Sequence, residues 1–136
     1  MTIRCETETA GEYAQLLHVG KHTLHADMDE KSGGHDTGPG AHEYFDAALS
    51  ACKALTATWF AKKNNIPLER VETFVERDDS QERAGKYVLK VRLAFHGPLS
   101  DEDRKRLYAA VGKCPVHKLM TTTEVVIETA PLDATT

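Results

Sequence analysis

Hydrophobic and polar positions change period several times along this chain, and each change predicts an element. Residues 2–8 alternate loosely. Residues 13–19, then Gly20, then residues 21–26 read as two extended runs turning near that glycine. Residues 27–41, DMDEKSGGHDTGPGA, are dense in Gly and acids and predict a flexible loop that delivers the next element. A helix follows over residues 43–63, rich in good helix formers. Phe45, Ala48, Leu49, Cys52, Leu55, Trp59 and Phe60 recur at helical spacing there and predict one buried apolar face with Cys52 at its middle. Asn64, Asn65 and Pro67 end it.

Residues 71–77 and 87–95 then return to period two. The second run is the clearest, with Tyr87, Leu89, Val91, Leu93 and Phe95 alternating with polar or smaller positions. The charged stretch 78–86 between them predicts a hairpin loop. Ser100 is a good N-cap, and Asp101, Glu102 and Asp103 suit the positive end of a helix that runs to about residue 111 and stops at Gly112. Pro115 suits the first position of a short further helix, which puts Cys114 at its N-cap. Residues 123–129 read as a last strand and the final residues as frayed. The order is β-β-β, long helix, β-β, helix, short helix, β, which predicts an α+β fold rather than a doubly wound sheet.

At 136 residues the chain suits one domain, 1–136. A domain this size buries only roughly two-thirds of its unfolded surface, so oligomerisation would complete its core. The net charge is -4 and the basic residues are dispersed, which disfavours nucleic acid and anionic membrane surfaces as partners. No apolar run approaches the roughly 20 residues of a membrane span. The first residues lack the apolar centre of a signal peptide, so cytoplasmic residence is expected.

Three cysteines, Cys5, Cys52 and Cys114, are too few for a disulfide framework, and a free cysteine is often only a small buried hydrophobe. Cys114 has the better physical case for reactivity. At a helix N-terminus, unpaired N–H groups and the dipole favour thiolate, and Lys113 and Lys118 add positive charge nearby, so its pKa is expected to fall. Cys52 lies mid-helix on the apolar face, where burial alone would raise its pKa. It would need a cation or donors from outside its own helix. Cys5 has no supporting constellation. Cys114 and His117 offer two metal ligands at local spacing, but His22 and His25 would point to opposite faces of a strand, so neither a metal nor another cofactor is expected. The Gly-rich loop matches neither a phosphate-cradling nor a dinucleotide motif.

Beside this reading stands a resemblance. The run Gly38-Pro39-Gly40-Ala41-His42-Glu43-Tyr44-Phe45-Asp46-Ala47-Ala48-Leu49-Ser50-Ala51-Cys52 resembles the first cysteine motif of the OsmC/Ohr family of hydroperoxide reductases. Residues 61–68 look like the end of that family's helix. His96-Gly97-Pro98-Leu99-Ser100, a charged helix and then Lys113-Cys114-Pro115-Val116-His117-Lys118-Leu119 resemble its second cysteine motif. The similarity covers about residues 20–128. It implies an OsmC-like fold, with antiparallel sheets wrapped around a long central helix in an intertwined homodimer. It also implies chemistry on hydroperoxides, organic ones above all: Cys52 attacks as thiolate and becomes a sulfenic acid, Cys114 condenses with it to a disulfide, and a dithiol reductant resets the pair. The family's typical arginine, in an early loop, is absent, because Arg4 is the only arginine before Cys52. Lys21, His22 or His35 could stand in for it. The family's glutamate corresponds to Glu43, one position from the commonest spacing, which falls on His42. Nine helical residues rise about 13 Å, so Glu43 would serve Cys52 only from the partner chain. Alternative readings on the same scaffold are a non-enzymatic binder of a small apolar ligand and a general thiol-redox protein.

Overall fold

A computed structural model describes residues 1–132 of the chain. Its strands are β1 (Ile3–Thr7), β2 (Gln15–Val19), β3 (His22–Ala26), β4 (Arg70–Asp78) and β5 (Val88–His96). Its helices are α1 (Ala41–Lys63), α2 (Asp101–Val111) and α3 (Pro115–Thr121). The fold is α+β with antiparallel sheets, as the order of periodicities predicts. Contacts divide it into two compact units, Met1–Ser50 with Val75–Val91, and Ala51–Phe74 with the chain from Arg92 onward.

In the first unit β1, β2 and β3 form an antiparallel meander. Val19 pairs with His22, leaving the tight two-residue turn at Gly20 that the sequence predicts. The loop after β3 departs from its predicted flexibility. Asp27 is buried, and its carboxylate accepts from the backbone N–H groups of Met28 (2.7 Å), His35 (3.2 Å) and Thr37 (3.1 Å) and from the Thr37 hydroxyl (2.8 Å). The glycines permit this close folding: a Cβ on Gly34 would lie 2.1 Å from the Met28 carbonyl oxygen, and one on Gly38 2.4 Å from that of His25. One buried carboxylate therefore ties the loop together and sets the start of α1.

The second unit holds a core of Ala57, Ala61, Ile66, Phe95, Leu107 and Val111. Helix α2 begins with a capping box: the Ser100 hydroxyl accepts from Asp103 N–H while the Asp103 carboxylate accepts from Ser100 N–H. Arg104 donates to the Phe95 carbonyl at 2.8 Å and the Tyr108 hydroxyl to that of Leu93 at 3.1 Å, fastening α2 beside β5.

Two expectations fail. The buried stripe of α1 is Leu49, Lys53, Ala57 and Ala61, at four-residue spacing, whereas Leu55 is 70% and Trp59 59% exposed. Small alanines allow close packing on Ile66 and Val111, and a pattern weighted by large side chains points to the wrong face. The predicted strand over residues 123–129 is also absent, and Val125, Val126 and Ile127 are exposed. A strand needs a neighbouring ladder, and this segment has none among the described residues. The expected fraying of the last residues, 133–136, lies outside the described residues.

Candidate active site

Within the second unit, the later part of α1 with α2 and α3 builds a site around two thiols. Helix α1 carries Cys52 and Lys53. Helix α2 stops at Gly112, and Cys114 then caps α3 with Pro115 at its first position, as the sequence predicts. Because proline has no N–H, the first free donors of α3 are those of Val116 and His117. Val116 N–H donates to Cys52 Sγ at 3.4 Å, and the His117 N–H hydrogen-bonds to the Cys114 thiol. Val116 lies in the first turn of the helix that Cys114 caps, so its bond brings Cys52 beside Cys114. The Thr56 hydroxyl, one turn along α1, lies 3.9 Å from Cys52 Sγ. Both cysteines are free thiols; Cys52 is partly exposed and Cys114 wholly buried.

That burial reverses the expected ionisation of Cys114. The N-cap geometry is present, and the His117 N–H and the nearby Lys53 both favour thiolate. Desolvation outweighs them, with the Cys52 thiol adding to it, and the Cys114 pKa is pushed up.

The side chain beside these thiols that sequence reasoning missed is Lys53. It is only 5% exposed, and its ammonium donates to the Val111 carbonyl at 2.9 Å and to His117 Nδ1 at 3.1 Å. The buried stripe it interrupts is not the face that the large side chains of α1 mark, so the sequence carries no local signal of it. His117, weighed as a metal ligand with Cys114, turns its ring to Lys53 instead. Among the described residues no group of three or more His, Cys, Asp or Glu side chains converges as a metal site requires.

Glu43 belongs to a different cluster, within the first unit. Arg77, on β4, donates from Nε to Asp46 Oδ2 at 2.7 Å and from Nη2 to Glu43 Oε2 at 3.1 Å, and the Tyr87 hydroxyl donates to Asp46 Oδ1 at 2.7 Å. Arg77 holds the Glu43 carboxyl below the usual range. Burial, and then the Asp46 carboxylate, push Tyr87 up to about 12. The Asp46 and Glu43 carboxylates push the Arg77 guanidinium up as well. An arginine–glutamate pair thus exists, with its arginine 25 residues after Cys52 rather than before it. Of the stand-ins considered for that arginine, Lys21 and His22 are exposed and His35 faces Glu12 at 3.6 Å. Arg4 is spent on an exposed pair with Glu6 at 2.9 Å. Cys5, exposed on β1, makes a 4.0 Å side-chain contact with Gln15. An apolar cleft of about 360 Å³ opens beside the arginine cluster, lined by Ala41, His42, Phe45, Glu82 and Tyr87, and His42 pairs there with Glu82 at 3.0 Å.

No curated protein matches the chain. Among solved structures it is similar to an OsmC-like protein from Mycoplasma pneumoniae (17% identity, 89% of this chain and 86% of that one, TM-score 0.70). It is also similar to an organic hydroperoxide resistance protein from Legionella pneumophila (21%, 90% and 90%, 0.59) and to the organic hydroperoxide resistance protein OhrB of Bacillus subtilis (21%, 90% and 92%, 0.60). These likenesses are of fold. The sequence itself matches the family described as OsmC-like protein over residues 34–130, most of its length, so the chain belongs to the OsmC-like protein family.

Proposed function

We propose that this protein reduces organic or hydrogen peroxides with its two thiols. The observation that carries this reading is the meeting of Cys52 and Cys114 at the start of α3, one thiol reachable from solvent and the other sealed. Cys52, as thiolate, attacks one peroxide oxygen. The O–O bond breaks, the distal oxygen leaves and takes a proton as alcohol or water, and Cys52 becomes a sulfenic acid. Cys114 attacks that sulfur, water departs and a disulfide forms. A dithiol reductant then returns both cysteines to thiols by two exchanges. The Val116 N–H supports thiolate character on Cys52 by donating to its sulfur. Glu43, tied up by Arg77, serves in this scheme as a positioning residue of the arginine cluster.

The hydroperoxide-resistance proteins of similar fold support the substrate class. In stopped-flow mixing with a hydroperoxide, Cys52 should oxidise far faster than free cysteine. Cys52→Ser should reduce turnover by roughly 10³-fold or more. A wild-type rate no faster than free cysteine would overturn the assignment.

The same reading includes a homodimer, as the resemblance implies. Phe45, Leu55 and Trp59 on α1, and Val125, Val126 and Ile127 beyond α3, are large apolar side chains left in water by a single chain. Among the described residues no helix is long and apolar enough to cross a membrane and so account for them in that way. Sedimentation should give twice the chain mass at micromolar concentration, and a monomer there would remove this part of the proposal.

A further inference from the structure

Lys53 is a buried cation without a counter-ion among the described residues. Its ammonium has three N–H groups, and the two with partners go to a carbonyl and an imidazole nitrogen, both neutral acceptors. Among the described residues no Asp or Glu forms an ion pair with Lys53. A buried charge held only by neutral dipoles keeps a large desolvation cost, and an anion formed beside it relieves that cost. The group beside it that can become an anion is the Cys114 thiol: the Val111 carbonyl that accepts from Lys53 also accepts from the Cys114 N–H at 3.3 Å.

We infer that Lys53, held by His117 and the end of α2, is the positioning residue that balances the thiolate Cys114 becomes when the Cys52–Cys114 disulfide is reduced. The reduction step rests on the disulfide of the proposed function. The exchange runs in two steps. An external thiolate attacks Cys52, the more exposed sulfur, forming a mixed disulfide as the Cys52–Cys114 bond breaks. The electron pair of that bond goes to Cys114, which leaves as thiolate beside Lys53. A second thiol of the reductant then displaces Cys52, which also leaves as thiolate, and the reductant carries away its own disulfide. The exposure of Cys52 directs the attack there, and the Lys53 cation offsets part of the desolvation that opposes a thiolate on the departing Cys114. The charged and titratable groups facing Cys114 are Lys53 and Cys52 from α1 and His117 from α3, with Lys113 as its chain neighbour.

The test follows the Cβ resonance of Cys114 against pH in the reduced protein by NMR. Replacing a cation this close should raise the Cys114 midpoint by about one to two pH units in Lys53→Met, while Lys53→Arg stays near wild type. An unchanged midpoint in folded Lys53→Met overturns the inference. Should that variant fail to fold, the Lys53 side-chain resonance of the unsubstituted protein must move with the Cys114 midpoint, and no movement there overturns it equally. The oxidised wild-type protein is then treated with limiting glutathione and mapped by peptide mass. Glutathione on Cys52 supports the ordered exchange, and glutathione on Cys114 refutes it. Failure to form any Cys52–Cys114 disulfide sinks the peroxidase reading instead, and the titration alone then judges Lys53.

Discussion

Each unit holds a cation, Arg77 partly exposed in one and Lys53 buried in the other, and they treat it in opposite ways. In the first, Arg77 meets two carboxylates, and Tyr87 fills a remaining position on Asp46. Charge and hydrogen bonds are both satisfied, so the cluster is a strut between β4 and the start of α1. In the second, Lys53 meets, among the described residues, a carbonyl and an imidazole nitrogen. Hydrogen bonds there are largely satisfied but charge is not. A balanced cluster resists change, whereas an unbalanced one favours making an anion beside it, which is what thiol chemistry requires. An arginine–glutamate pair in a chain of this family invites a catalytic role. The charge balance argues instead that Lys53 does the electrostatic work at the thiols.

Removing each cation is the most direct way to break that comparison. Arg77→Met leaves two carboxylates without their donor and should cost about 2–3 kcal/mol of stability, read as a lower denaturant midpoint at unchanged slope. Its Cys114 titration should match wild type. If Arg77→Met instead shifts the Cys114 midpoint as far as Lys53→Met does, the division between strut and active charge is wrong.

How much of this was legible in the sequence follows from the range of each interaction. Local signals carried well: the turn at Gly20, the Ser100 cap, and Cys114 followed by Pro115 each depend on a few neighbouring residues, and each appears where expected. The face of α1 did not, because burial is decided by what packs against a helix and not by its own largest side chains. Lys53 and Ala57 are buried there while Leu55 and Trp59 are not. The resemblance brought Cys52 and Cys114 into one hypothesis, yet it directed attention to an early arginine. Lys53 adjoins Cys52 in sequence and Arg77 lies on a later strand, and neither position has a local signature of its role. The ionisation of Cys114 was misjudged for a related reason. Cap geometry is visible in a sequence, but complete desolvation of one sulfur is not.

A smaller effect sharpens the comparison from the opposite sign of charge. Asp27 is, like Lys53, a buried ion held only by neutral partners, but it has four donors where Lys53 has two acceptors. Those donors, Thr37 N–H foremost, outweigh desolvation and lower its carboxyl to about 2. A carboxyl depressed in the folded state stabilises the fold fully above its unfolded value, about 3.9, and loses that contribution as pH falls through the folded value. Asp27→Asn lacks a titrating group there. In thermal melts, wild type should therefore exceed Asp27→Asn by a constant margin above about pH 5, and the margin should shrink as pH falls from about 4 towards 2. A margin that stays constant to the lowest pH would mean that neutral dipoles do not hold this charge as the geometry implies. The same doubt would then fall on reading Lys53 as a charge its dipoles leave unbalanced.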